Sequence, residues 1–329
     1  MTIKNTMLII LLYFILLSIT IYGKEKLSVT KDIIHYCDPE TPDTCGSKGV
    51  CIKKSSGNRC SCPDGWMGVK CQRPCQDIYK SCSKWLEERR CVWARPISPF
   101  FADNCPLTCG ACRNSIGRAL PLALPPILED ISWVIGKWET TQDSSNDFYD
   151  KRFPRNIDGG YKEILDIMVT EVPSFDRPGL NVSVTAKSIK KENIINKELG
   201  FITIKPFLED TGFAEFNKPK SGPDLVALEL SSNTGVLTIE EGIMKKSFDK
   251  SSNSNINILV LELKHINDYL YEKSEIKDSK RIFKYISRPS SSGRLVESLI
   301  EIGSIEKRDG QVLRWKKSYR KIFDYLTDY

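Results

Sequence analysis

The sequence is poor in histidine and, over most of its length, devoid of cysteine. Its 329 residues include two histidines, His35 and His265, so there is no imidazole cluster from which to build a metal centre. From Arg113 to Tyr329 there is no cysteine, which excludes disulfide stapling there and leaves that stretch to fold on a hydrophobic core. No run of five or six like charges occurs. The net charge of +6, spread over 48 basic and 42 acidic side chains, is too thin for a nucleic-acid-binding surface. No GxSxG element is present, and beyond residue 23 no apolar run is long enough to span a bilayer. No catalytic residue is expected.

What is present is concentrated. All twelve cysteines lie between Cys37 and Cys112, at the density of a disulfide scaffold. Residues 1–23 read as a secretory signal, with Lys4 as the positive start, Met7 to Tyr22 as the uncharged, mostly apolar run, and Gly23 as the small residue at its end. Export and disulfides agree with each other, so the mature chain is expected to be extracellular and free of the membrane after cleavage. Asn181-Val182-Ser183 is the sole N-glycosylation sequon. A glycan is expected on Asn181.

The first six cysteines end in Cys60-Ser61-Cys62-Pro63-Asp64-Gly65-Trp66-Met67-Gly68-Val69-Lys70-Cys71. A Cys-x-Cys pair on a strand turns both side chains to one face, and the two glycines permit a tight turn before Cys71. Six cysteines allow fifteen connectivities, and the sequence alone does not choose among them. The segment 37–71 resembles an EGF-like module. That resemblance implies the pairs Cys37–Cys51, Cys45–Cys60 and Cys62–Cys71. The calcium-binding variety carries acidic and amide residues before its first cysteine, where this chain has Ile33-Ile34-His35-Tyr36, so no metal site is expected.

The second six end in Cys105-Pro106-Leu107-Thr108-Cys109-Gly110-Ala111-Cys112, which puts Cys105 and Cys109 one helical turn apart on one face. Residues 75–112 resemble an ShKT (sea-anemone-toxin-like) module, which implies Cys75–Cys112, Cys82–Cys105 and Cys91–Cys109. Toxin members carry a Lys-Tyr pair before the fourth cysteine. Here those positions are Pro99 and Phe100, which points away from channel block and toward protein contacts. Trp85, Trp93, Phe100 and Phe101 either form an exposed contact patch or pack over the disulfides.

Residues 113–126, with Pro121, Pro125 and Pro126, read as a linker. The remainder, 127–324, is dominated by β-branched and alternating runs: 164–172, 180–186, 200–206, 225–230, 236–241, 256–263, 281–286, 295–302 and 312–322. Turn residues such as Asn233-Thr234-Gly235 and Asp309-Gly310 separate them. Nine or so strands with short connections predict a mainly β protein whose large domain is an antiparallel barrel or sandwich. Only 128–135, and part of 269–278, look helical.

Trp133-Val134-Ile135-Gly136-Lys137-Trp138 carries a Gly-x-Trp on a first strand, as lipocalin-like folds do. Together with Gly200 to Pro206 and Ser232 to Gly242, it makes the domain similar to the nitrobindin family, the haem-binding barrel also found at the C-terminus of a THAP-type protein. The resemblance implies a ligand cavity and an axial histidine on the last strand. Aligned on Tyr319-Arg320-Lys321, that histidine falls at Arg314 and the family's second one at Lys316, and an always-protonated guanidinium cannot ligate iron. No cofactor is therefore expected, with haem chemistry on nitric oxide or peroxynitrite as the alternative. The alignment turns Arg314 and Lys316 inward, whereas hydropathy turns Leu313, Trp315 and Tyr319 inward, and one register excludes the other. Trp138, Arg314, Trp315 and Lys316 are the candidate cavity residues. The expected function is that of a secreted, non-enzymatic binding protein, its modules meeting an extracellular protein and its barrel filled or holding a small apolar or anionic ligand.

Overall fold

The computed structural model describes residues 37–326 other than 41–43, 46–48, 54–57, 69, 95–99, 115–118, 121, 142–148, 172–177, 192, 206–224, 250–253, 270–273 and 290–294. The signal segment 1–23, His35 and Pro99 lie outside the described residues.

Two-residue alternation organises the large domain. Strand β6 (Tyr161–Val169) buries Tyr161, Glu163, Leu165, Ile167 and Val169, and β7 (Leu180–Ser188) buries Leu180, Val182, Val184 and Ala186. Their partners turn outward, as a period of two requires of a sheet with one buried face. Strand β5 (Gly136–Thr140) precedes them. The series continues through β8 (Ile195–Lys205), β9 (Leu225–Ser232), β10 (Val236–Asp249), β11 (Ser254–Asp268), β12 (Ile276–Pro289), β13 (Leu295–Lys307) and β14 (Val312–Phe323). These ten strands form a closed, wholly antiparallel barrel in which β14 pairs back onto β5, with Tyr319 opposite Thr140. Closure leaves no unpaired sheet edge. Gly235 (φ +86°) lies in the tight β9–β10 turn, a conformation that suits glycine.

The barrel begins one strand earlier than the β-branched runs, at the Gly136-Lys137-Trp138 segment, which accounts for ten strands rather than nine. The expected helix at 128–135 is a 3₁₀ helix, Pro126–Val134. The described end of 269–278 is strand, because β12 starts at Ile276.

Both ends of the barrel are plugged. Leu128 and Ile131 of the 3₁₀ helix are fully buried and join Trp133, Trp138 and Tyr285 in the main core. At the opposite end Phe153 packs on Trp315 and Ile305, and Arg155 enters the interior with 3% of its side chain exposed. Gly303 faces Trp315 across the β13–β14 ladder. A Cβ there would stand 2.0 Å from the indole Cζ2, so the glycine is what admits the ring.

The disulfide region is built from short elements: β1 (Val50–Ile52), β2 (Arg59–Ser61), β3 (Trp66–Met67), β4 (Arg73–Pro74), α1 (Cys82–Glu87), α2 (Arg90–Trp93) and α3 (Phe100–Asn104). Its six disulfides are Cys37–Cys51, Cys45–Cys60, Cys62–Cys71, Cys75–Cys112, Cys82–Cys105 and Cys91–Cys109, and no free cysteine remains. Ile34–Tyr329 cluster as one compact unit, and named contacts join the two regions. Arg73 is buried against Glu129 of the 3₁₀ helix, with 4% and 6% of the two side chains exposed. Gln76 both donates to the Leu120 carbonyl (3.0 Å) and accepts from its N–H (2.6 Å). The stretch 113–126 is therefore more than a spacer: Leu120 and Leu124 are buried.

Among the described residues, no helix is long and apolar enough to cross a membrane.

Candidate functional site

Three regions compete for a functional role: the barrel interior, the seam between the disulfide region and the barrel, and the surface of the second disulfide module.

The interior is charged. Glu163, Glu240, Arg281 and Glu301 occupy inward positions on β6, β10, β12 and β13 and are all buried. Arg281 forms a two-pronged pair with Glu240, Nε to Oε2 at 2.9 Å and Nη2 to Oε1 at 3.0 Å, and donates from Nη1 to Glu301 Oε1 at 2.8 Å. Glu301 also accepts from Trp315 Nε1 at 3.1 Å and from the Tyr319 hydroxyl at 2.8 Å. Arg155 donates to Glu163 Oε2 at 3.1 Å and to Glu198. The Tyr319 hydroxyl also lies 2.7 Å from Glu163 Oε1, so a single phenolic proton stands between two carboxyl groups.

A charge removed from water survives only when paired and hydrogen-bonded, and here the pairing is dense. Burial pushes the Glu301 carboxyl up, but Arg281, Arg155 and the hydrogen bonds from Tyr319 and Trp315 outweigh it and hold it below the usual carboxylate range. Burial, together with the Glu163 and Glu301 charges, pushes the Tyr319 phenol well up. Burial lowers the Lys317 ammonium, which lies 3.5 Å from the centre of the Tyr161 ring.

The void beside Arg155, Glu163, Arg281 and Glu301 measures about 10 Å³, room for about one water molecule. Trp138 and Trp315 face inward but are packed, with 0% and 1% exposure, and Trp138 donates its indole N–H to the Val134 carbonyl at 2.9 Å.

Arg314 and Lys316 are a correction to the expected cavity set. Both are exposed on the outer face of β14. The reason is the register: Trp315 and Tyr319 take the inward positions, and a period of two sends their neighbours out. His265 is exposed too. Arg314, the position that the resemblance aligned with an axial histidine, points away from the interior, where the Trp315 indole, the Tyr319 phenol and the Arg281 guanidinium lie. Of the adjacent glutamates in β10, Glu240 is inside on Arg281 and Glu241 is exposed.

At the seam there is open space. A cleft of about 330 Å³ is lined by Trp66, Gln72 and Pro74 from the disulfide region and by Ser132, Trp133, Tyr285, Glu297, Lys321, Asp324 and Leu326 from the barrel. Lys321 Nζ lies 3.0 Å from Glu297 Oε2, 3.1 Å from Asp324 Oδ2 and 4.8 Å from the centre of the Trp138 ring. The Tyr285 hydroxyl donates to Glu297.

On the second module, Tyr79, Trp85, Phe100 and Phe101 pack as an aromatic cluster with ring centres 5.3–6.2 Å apart. Trp93 stands apart from them and is 56% exposed beside Val92 at 73%, with Leu86 at 46% on the preceding helix. Of the four aromatic candidates, three thus pack together and Trp93 faces solvent. Asn181 and Ser183 both lie on the outer, half-buried face of β7.

The charged interior escaped the sequence reading. Its signal was available: Glu163, Glu240, Arg281 and Glu301 sit at inward-parity positions of otherwise apolar strand faces, in both signs.

Among solved structures, the crystal structure of Rv2717c from M. tuberculosis is similar at 14% sequence identity and a TM-score of 0.37, covering 60% of this chain and 98% of that one. No curated protein matches the chain. Residues 74–112 match the ShK domain-like family.

Proposed function

We propose that this is a secreted, non-enzymatic binding protein whose barrel is a filled scaffold and whose disulfide modules, the first of them EGF-like, meet an extracellular protein partner. The observation that carries the reading is the interior. The void beside Arg155, Glu163, Arg281 and Glu301 measures about 10 Å³, which supports a binding surface on the outside of the molecule. Leu86, Val92 and Trp93 support the choice of face, because a small stapled module that exposes a tryptophan has it available for contact. A glycan on Asn181, on the barrel wall, fits an extracellular chain and leaves the modules uncovered.

The test is binding of the full chain to a panel of extracellular proteins by biolayer interferometry, with paired variants. Leu86→Ser with Trp93→Ser is expected to abolish binding, and Arg314→Ser with Lys316→Ser to leave it intact. The opposite pattern would move the site to the barrel and overturn the proposal.

A further inference from the structure

We propose that the N-glycan on Asn181 is held against the barrel wall, its first N-acetylglucosamine stacked on the ring of Phe201 and lying over Leu199. The proposal rests on the reading of Asn181 as a glycosylated residue of an exported chain. It goes beyond that reading by giving the glycan a partner side chain and a task.

Three observations meet at that spot. The first is parity. Strand β7 turns Leu180, Val182 and Val184 into the core, so Asn181 and Ser183 of the sequon share its outer face. A place in the middle of a strand is no obstacle, because the sugar is transferred to the extended chain during export, before the barrel closes. In that transfer the Asn181 Nδ2 attacks the anomeric carbon of a lipid-linked oligosaccharide diphosphate. The nitrogen–carbon bond forms, the carbon–oxygen bond breaks with its electron pair leaving on the diphosphate, and one amide proton passes to a base of the transferase.

The second observation is an exposed apolar strip on the neighbouring strand. β8 presents Leu199 and Phe201 in succession on its outer face, 64% and 49% exposed, while Ile202 and Ile204 point inward. Scattered single apolar side chains are ordinary on a surface, but these two adjoin each other and the sequon. β8 pairs on both sides, with β7 and with β9, so no further strand can add there and whatever covers the strip lies flat on its side chains.

The third is register. Asn181 stands opposite Phe201 across the β7–β8 ladder, and Ser183 opposite Leu199. Side chains so placed have Cβ atoms about 4.5–5.5 Å apart, so a pyranose on Asn181 Nδ2 lies beside the Phe201 ring. Across the other ladder Asn181 faces Met168 of β6, which is half-buried. The two surfaces match chemically. A β-linked N-acetylglucosamine carries its hydroxyl groups equatorially, which leaves axial C–H bonds on each face of its ring. Those hydrogens are slightly positive and an aromatic face is negative, so the sugar stacks by its apolar face and keeps its hydroxyl rim toward water and toward Glu229, which stands opposite Phe201 on β9. The sugar is neutral, and no charge is buried with it. Placed in this way, the glycan shields Leu199 and Phe201 from contact with a second copy of the chain.

The test uses the full-length oxidised protein secreted from yeast fed ¹³C-glucose and trimmed with an endoglycosidase that leaves one N-acetylglucosamine on a modified asparagine. Intact mass reports occupancy, and ¹³C–¹H NMR reports the sugar. Its axial ring protons are expected to lie upfield of their positions on an unfolded glycopeptide of the same sequence, with nuclear Overhauser contacts to the Phe201 ring. Phe201→Leu is expected to abolish the upfield shift at unchanged occupancy, and Val312→Ala, an exposed apolar position on β14, to leave it intact. Asn181→Gln is expected to bind more of an apolar fluorescent dye than the trimmed protein, and adding Leu199→Ser with Phe201→Ser to remove that increase. A modified Asn181 whose sugar protons are unshifted in the unsubstituted protein, or still shifted in Phe201→Leu, overturns the stacking and leaves the glycan itself standing. Equal dye binding by Asn181→Gln and the trimmed protein overturns the covering. An unmodified Asn181 overturns the proposal together with the reading beneath it.

Discussion

The two regions of this chain solve the same problem by opposite means. The disulfide region has helices of four to six residues and strands of two or three, too little regular structure to bury much apolar area, and it is held by six covalent cross-links. The barrel has no cross-link, but its ten strands close on themselves around a plugged core. In the first region the order is covalent and the surface is free to carry exposed side chains such as Val92 and Trp93. In the second the order comes from packing and a buried charge network, and the interior is spent on that order. The barrel turns paired arginines and glutamates inward, whereas the stapled region exposes Val92 and Trp93, and it is on the stapled region that binding is proposed.

The largest expected effect separates the two by chemistry. Reduction of the disulfides under native conditions should unfold the region 37–112, since removing even one native disulfide from a small domain costs about 2–5 kcal/mol. The barrel should keep its strand signal in far-ultraviolet circular dichroism. Loss of both together would mean that the barrel depends on the modules through Arg73–Glu129 and Gln76–Leu120.

Next in size is Arg281→Met. It leaves Glu240 and Glu301 buried without their shared guanidinium, and breaking a buried pair in this way costs about 3–5 kcal/mol. Urea unfolding followed by barrel tryptophan fluorescence should show that loss, with the disulfide region's amide resonances unchanged. Replacing Glu240, Arg281 and Glu301 together by apolar residues of similar volume should cost much less than the single change.

Gly303→Ala comes third. The added methyl meets the Trp315 ring, and overpacking a filled core costs about 1–3 kcal/mol. A neutral result by the same urea unfolding measurement would mean that the interior has slack.

The smallest effect is a difference of sign on acidification. Glu301 is held below its unfolded value near 4.5, so its stabilisation is complete above that pH and is lost as pH falls through the lower folded value. Asp103, in the disulfide region, is raised above 3.8 by burial, against the pull of Arg73 and Arg59. Its contribution is therefore fully present below 3.8 and is lost as pH rises through its folded value. Residue-resolved amide exchange across that acid range should show protection falling around Glu301 while it holds or rises around Asp103.

Much of the fold was legible because it rests on short-range rules. The parity of Leu180, Val182 and Val184 marks an inward face. Turn residues at Asn233–Gly235 mark a hairpin, and cysteine density marks a stapled region. The last strand was legible only as two competing registers, and the structure has the one that hydropathy favours: Trp315 and Tyr319 face in, Arg314 and Lys316 out. The charged core was not legible, because a lone inward glutamate on β6 looks like an error of register until Arg155 arrives from a loop and Arg281 from a strand more than a hundred residues away. Pairing of that kind is set by barrel closure, which brings β10, β12 and β13 around one axis, and no local window contains it. The seam cleft was invisible for the same reason, as Trp66 and Asp324 come from the two ends of the described chain.

The central claim, that the barrel is a filled scaffold, is met most directly by native mass spectrometry of the oxidised, full-length protein after incubation with haemin and, separately, with oleate. The account predicts the mass of the protein alone in both cases, apart from any glycan on Asn181. A one-to-one adduct of either compound that survives desalting and disappears in Tyr319→Phe would contradict it.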